Sequence, residues 1–70
     1  MIRKFRHAIR KWNYVFCIDA ERQVIWSEYS DGTKSVESPL VGLLGNWLEV
    51  AEKFVKDGEW LEVDSVDVKV

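Results

Sequence analysis

Side-chain catalysis needs a nucleophile, a base or a metal-binding cluster, and this 70-residue chain has one histidine, His7, and one cysteine, Cys17. Cys17 falls within residues 14–18, the longest uninterrupted apolar run, where a thiol is expected to be buried and neutral rather than activated. One His and one Cys do not complete a four-ligand zinc site. The acid pairs Glu49/Glu52 and Glu62/Asp64 are spaced to share a helix or strand face. General acid–base chemistry uses such pairs, but solvated surfaces show them far more often. The residue types therefore predict a non-enzymatic protein with no cofactor and no metal.

Charge is the stronger signal. The formal net charge of −2 divides into +5 over residues 1–11 and −7 over residues 12–70. The positive segment holds Arg3, Lys4, Arg6, Arg10 and Lys11 with no acid, and Trp12 follows it. Three fates suit such a segment: pairing with the chain's own acids, binding nucleic-acid phosphates with Phe5 and Trp12 stacking on bases, or lying on an anionic membrane. A five-residue apolar run is far short of the roughly 20 residues that span a bilayer, and charged residues interrupt any signal-peptide core. A lone cysteine suits a reducing compartment, so a cytoplasmic setting is expected.

These residues need elements to carry them, and one small domain over residues 1–70 is expected from the length. Ile2, Phe5, Ile9 and Trp12 recur at three- and four-residue intervals, as on a short basic helix; a strand with Phe5, His7 and Ile9 on one side competes. Residues 12–19 are aromatic and β-branched and read as a central strand. Residues 23–29 and 33–37 read as two further strands joined through Asp31-Gly32, because Gly reaches positive φ without a Cβ clash. Ser38-Pro39 reads as a helix start. The 3–4 spacing of Leu40, Leu43, Leu44, Trp47, Leu48, Ala51, Phe54 and Val55 predicts a long amphipathic helix over residues 40–56, closed by Asp57-Gly58. Residues 59–70 alternate with a phase change near Asp64-Ser65, and Val66, Val68 and Val70 offer a seam for a homodimer. The expected class is α+β: an antiparallel sheet of three to four strands with that long helix packed on one face. Leu44, Trp47, Phe54, Phe16 and Trp26 are the expected core.

Gly42 and Gly45 fall on the outer face of that helix, where each costs about 1 kcal/mol relative to Ala. Two bare positions one turn apart would let another backbone approach closely. The segment Val41-Gly42-Leu43-Leu44-Gly45-Asn46-Trp47-Leu48 resembles the glycine spacing of KH nucleic-acid domains, but leucines fill the gap where that family places polar or basic residues. The expected contact surface is acidic: Gly42, Gly45, Glu49, Glu52, Glu59, Glu62 and Asp64 against a basic protein partner. Nucleic-acid contact through Arg3, Lys4, Arg6, Arg10, Lys11 and Trp12 is the alternative. The run Lys56-Asp57-Gly58-Glu59-Trp60-Leu61-Glu62-Val63 resembles the C-terminal segment of a small type I-F anti-CRISPR protein. That resemblance implies a phage inhibitor acting by stoichiometric binding.

Overall fold

The computed structural model describes residues 2–43 and 45–63. Among them, five strands form one antiparallel sheet in the order β4-β3-β2-β1-β7: β1 (Ile2–His7), β2 (Tyr14–Asp19), β3 (Val24–Tyr29), β4 (Ser38–Pro39) and β7 (Trp60–Val63). A small hairpin of β5 (Val41–Gly42) and β6 (Gly45–Asn46) leads into the helix α1 (Trp47–Lys56).

The basic N-terminus is a strand, not a helix. Its backbone is paired on both sides, with β2 through Phe5 opposite Phe16 and with β7 through Phe5 opposite Glu62. Ladder bonds to two neighbours outweigh a helical spacing of four apolar residues, and Ile9, one of those four, is 86% exposed. The strand ends where the His7 Nδ1 accepts the backbone N–H groups of Ile9 and Arg10 at 3.1 and 2.8 Å.

The expected long helix is also corrected: α1 has ten residues, and Ser38-Pro39 belongs to a strand pairing with Ile25 and Val24. The glycines are the physical reason. Gly45 adopts φ +109°, which no right-handed helix contains, and Gly42 pairs with it across the hairpin. Leu40 precedes the hairpin and is pinned by Leu40 N–H donating to the Gln23 carbonyl and Trp47 N–H donating to the Leu40 carbonyl. Leu43 satisfies the helical spacing yet is fully exposed at the hairpin tip. The helix begins instead at Asn46, whose side-chain oxygen accepts the Leu48 N–H at 2.9 Å. Its C-terminal end falls where the sequence places it, with Gly58 at φ +81° and the Glu59 N–H returning to the Phe54 carbonyl.

The Asp31-Gly32 connection is a tight turn with Gly32 at φ +90°, and Asp31 Oδ1 accepts from both the Thr33 N–H and hydroxyl. Beyond it the expected strand over residues 33–37 reduces to a bridge of Lys34 with Glu28, flanked by Tyr29 N–H donating to the Thr33 carbonyl and Ser35 N–H donating to the Ser27 carbonyl. The Ser35 hydroxyl, not its backbone, accepts the Ser27 N–H at 2.8 Å, so the ladder is broken there until Ser38.

Side chains directly opposed across a ladder share a face. The register thus places Arg3, Phe5, His7, Tyr14, Phe16, Ile18, Ile25, Ser27, Tyr29, Trp60 and Glu62 on one side of the sheet. The helix packs there: Phe5, Ile18, Leu40 and Ala51 are buried together, with Ile25, Leu48, Val55 and Trp60 around them. Ala51 is the one fully buried residue of the helix. A second cluster of Val15, Cys17 and Trp26, flanked by Val24 and Val63, lies on the opposite face. Of the expected core, Trp26 is buried, Phe16 and Phe54 are half-buried, and Trp47 is 37% exposed. Leu44, the Asp64-Ser65 break and the Val66, Val68 and Val70 seam lie outside the described residues.

Over the second cluster, Lys4 Nζ meets Glu28 Oε1 at 3.1 Å, and Trp26 Nε1 donates to Glu28 Oε2. Burial pushes the Glu28 carboxyl up, but the hydrogen bonds from Lys4 and Trp26 and the charges of Lys4 and Lys34 outweigh it, so the net shift is downward. A carboxylate lowered by folding stabilises the protein above its ordinary value of 4.5, and that contribution is lost as pH falls through the folded value. Glu28→Gln should therefore lower stability by about 1–2 kcal/mol at pH 7 and flatten the decline of melting temperature below about pH 4.5. Circular-dichroism melts of both proteins from pH 7 to pH 3 check this.

Candidate functional site

The sheet distributes the first-segment cations instead of gathering them. Arg3 lies on the helix side, where its guanidinium donates to both Glu62 oxygens at 2.9 Å and approaches Glu52 at 3.7 Å. The hydrogen bonds from Arg3 hold the Glu62 carboxyl below its ordinary range against a smaller effect of burial. Lys4 and Arg6 point to the opposite side, Lys4 onto Glu28. Arg10 and Lys11 are exposed in the turn before β2 and form no ion pair with another described residue.

The acidic set is only partly brought together. Glu52 and Glu62 converge on Arg3, whereas Glu49 is exposed in the first helical turn. Glu59 is exposed before β7, its backbone carbonyl accepting the Ala8 N–H. Gly42 and Gly45 belong to the hairpin rather than to a helix face, and Asp64 lies outside the described residues.

The register does assemble an aromatic patch. Trp12, Tyr14 and Phe16 alternate in sequence, so a strand carries them on one face. Trp12 stacks on Tyr14 with ring centres 4.9 Å apart and planes 6° from parallel, and Phe16 meets both rings edge-on at 5.6 and 5.4 Å. Tyr29 extends the patch from Tyr14 at 5.9 Å. Trp60 extends it from Phe16 and Trp12 at 5.4 and 5.7 Å and stacks on Phe54 of the helix at 4.8 Å. His7 touches Trp12 at 5.5 Å. Trp12, Tyr14, Phe16, Tyr29 and Trp60 are each half-buried, so the rings hold one another in place while keeping surface open to solvent.

Beside the patch, an open cleft of about 200 Å³ lies between the helix N-terminus and the interrupted ladder. Phe16, Ile25, Val36 and Trp47 give it apolar walls, and Ser27, Ser35 and Ser38 line it with hydroxyls. Phe16 belongs to both cleft and patch. Of this surface, sequence reasoning singled out Trp12 alone as a contact. The alternation of residues 12, 14 and 16 was the available signal; Tyr29 and Trp60 join them only through strand pairing.

The fold does not bring His7 and Cys17 together. His7 and Cys17 lie on opposite faces of the sheet, and burial pushes the Cys17 thiol up to about 11. Among the described residues no group of three His, Cys, Asp or Glu side chains is placed to hold a metal ion. Among the described residues no helix is long and apolar enough to cross a membrane. No protein-family model, no curated protein and no solved structure matches this chain.

Proposed function

We propose that this protein is a non-enzymatic binding module that recognises a protein partner through the open aromatic half of its helix-bearing sheet face. A stoichiometric inhibitor or adaptor is the kind of role such a surface serves. One observation carries the reading: five aromatic side chains joined in one connected cluster stop half-way to burial, beside a cleft large enough for one side chain. Trp and Tyr are enriched at interface hot spots because they bury much area at little entropic cost. The acidic surface is secondary, since Arg3 already engages Glu52 and Glu62.

A second reading, single-stranded nucleic acid, is favoured by the flat Trp12–Tyr14 stack beside Arg10 and Lys11. Magnitude decides against it. Two cations that neutralise two phosphates give a log–log salt slope of only about −1.4, and the chain as a whole carries −2.

Affinity capture from a native lysate, with and without nuclease, separates the two. Capture of a protein that survives nuclease and is reduced at least tenfold by Trp12→Ala/Tyr14→Ala, but not by Leu61→Ala on the opposite face, is expected. Capture indifferent to the aromatic pair would remove the surface assignment, and loss on nuclease treatment would favour the second reading.

A further inference from the structure

Charge and shape around the patch narrow the class of partner. The cleft beside Trp47 is comparable to the roughly 150 Å³ cavity that accommodates a benzene ring, and Phe16 and Ile25 are among its apolar walls. Its size suits one bulky apolar side chain, and the serine hydroxyls at its edge suit the backbone polar groups that accompany such a side chain in an extended segment. From Phe16 the rings lead to Trp12 at 5.6 Å, and Arg10 and Lys11 immediately precede Trp12 in the chain. These two cations are exposed, whereas Arg3 and Lys4 are spent on Glu62 and Glu28. The surface thus has an apolar socket, a flat aromatic floor, and, next to Trp12 in the chain, two exposed cations that form no ion pair with another described residue.

We infer that the partner presents an extended acidic peptide segment, with one bulky apolar residue seated in the Trp47 cleft and carboxylates meeting Arg10 and Lys11. The inference rests on the binding-module reading above. The charge pair supplies direction and selectivity, and the socket supplies the buried contact. A long polyanion gains from the same two cations but meets the chain's overall negative charge; a short acidic segment needs the local pair alone.

Panning a random phage-displayed peptide library on the intact protein, on Trp47→Ala and on Arg10→Glu/Lys11→Glu tests this. Trp47 is partly exposed and Arg10 and Lys11 are exposed, and circular dichroism verifies that the variants fold. On the intact protein the enriched sequences should pair a Leu, Phe, Trp or Met with Asp or Glu in one short segment. On Arg10→Glu/Lys11→Glu the acids should be replaced by Lys or Arg, and on Trp47→Ala the apolar preference should vanish while the acids remain. A synthetic peptide of the selected sequence should bind each variant at least tenfold more weakly. Enriched peptides that depend on Trp12 and Tyr14 but carry the same charges on the reversed variant would overturn the acidic-peptide inference and leave the binding module standing. No enrichment on the intact protein, with quenching of its tryptophan fluorescence by a twelve-residue oligothymidylate, would overturn both.

Discussion

Leu40→Ala is expected to destabilise the protein by about 2–5 kcal/mol, and Leu43→Ala, three residues on, by less than about 0.5 kcal/mol. Both leucines would face the core of a helix running over residues 40–56, and a common large loss would be the result. In the observed fold Leu40 is buried against Phe5, Ile18 and Ala51, while Leu43 caps an exposed hairpin. Deleting Leu40 leaves a cavity beneath the junction of hairpin and helix, which the surrounding strands and Ala51 are poorly placed to fill. Leu43 has no comparable packing to lose. Urea denaturation of the two variants measures the difference directly; equal midpoints would contradict the hairpin and restore the longer helix.

Trp60→Ala carries the next largest effect. The indole touches Phe5, Phe16, Trp12 and Phe54, so it joins the buried core, the open patch and the helix. Loss of a Trp in such a position costs about 3 kcal/mol or more, a large share of what a domain of this length possesses. At 4–8 °C per kcal/mol for a small domain, the melting temperature should fall by about 12–24 °C. Trp60→Phe keeps part of the stacking and should recover about half of that. Binding should weaken in Trp60→Ala even at temperatures where it is folded, because Phe16 and Trp12 lose a neighbour that fixes their orientation. Unchanged melting in Trp60→Ala would mean that the ring is not the hub the geometry makes it.

The local parts of this fold were legible where one residue's backbone preference decides the matter. Asp31-Gly32 and Asp57-Gly58 mark a turn and a helix end because φ values of +90° and +81° suit glycine. The same principle, applied to Gly45, would have broken the long helix. The leucine spacing concealed it, since Leu40, Leu43, Trp47 and Leu48 keep a helical rhythm across a hairpin. The N-terminal strand was hidden for another reason. Its spacing is helical by chance, and its stabilisation comes from β2 and β7, the latter 59 residues away at the Arg3–Glu62 pair. No local window contains that pairing. The aromatic surface was half legible, in the alternation of Trp12, Tyr14 and Phe16, whereas Trp60 and Tyr29 required the register. The charge asymmetry was legible as a sum but not as an arrangement: alternate residues of a strand face opposite ways, so the sheet sets Arg3 on one face and Lys4 and Arg6 on the other.

The position of β1 between β2 and β7 also sets the order in which the protein can be made. Hairpins β1–β2 and β2–β3 join neighbours in sequence and can form early, whereas the β1–β7 ladder closes a loop of almost the whole chain and is entropically the slowest contact. Phe5 is synthesised 55 residues before Trp60, which packs beside it. Until then the nascent sheet has an unpaired strand edge at β1 and bare aromatic rings, the combination that invites association with other chains. Arg3, Lys4 and Arg6 all carry positive charge along that edge, and like charges on an open strand edge disfavour its pairing with the same edge of a second copy.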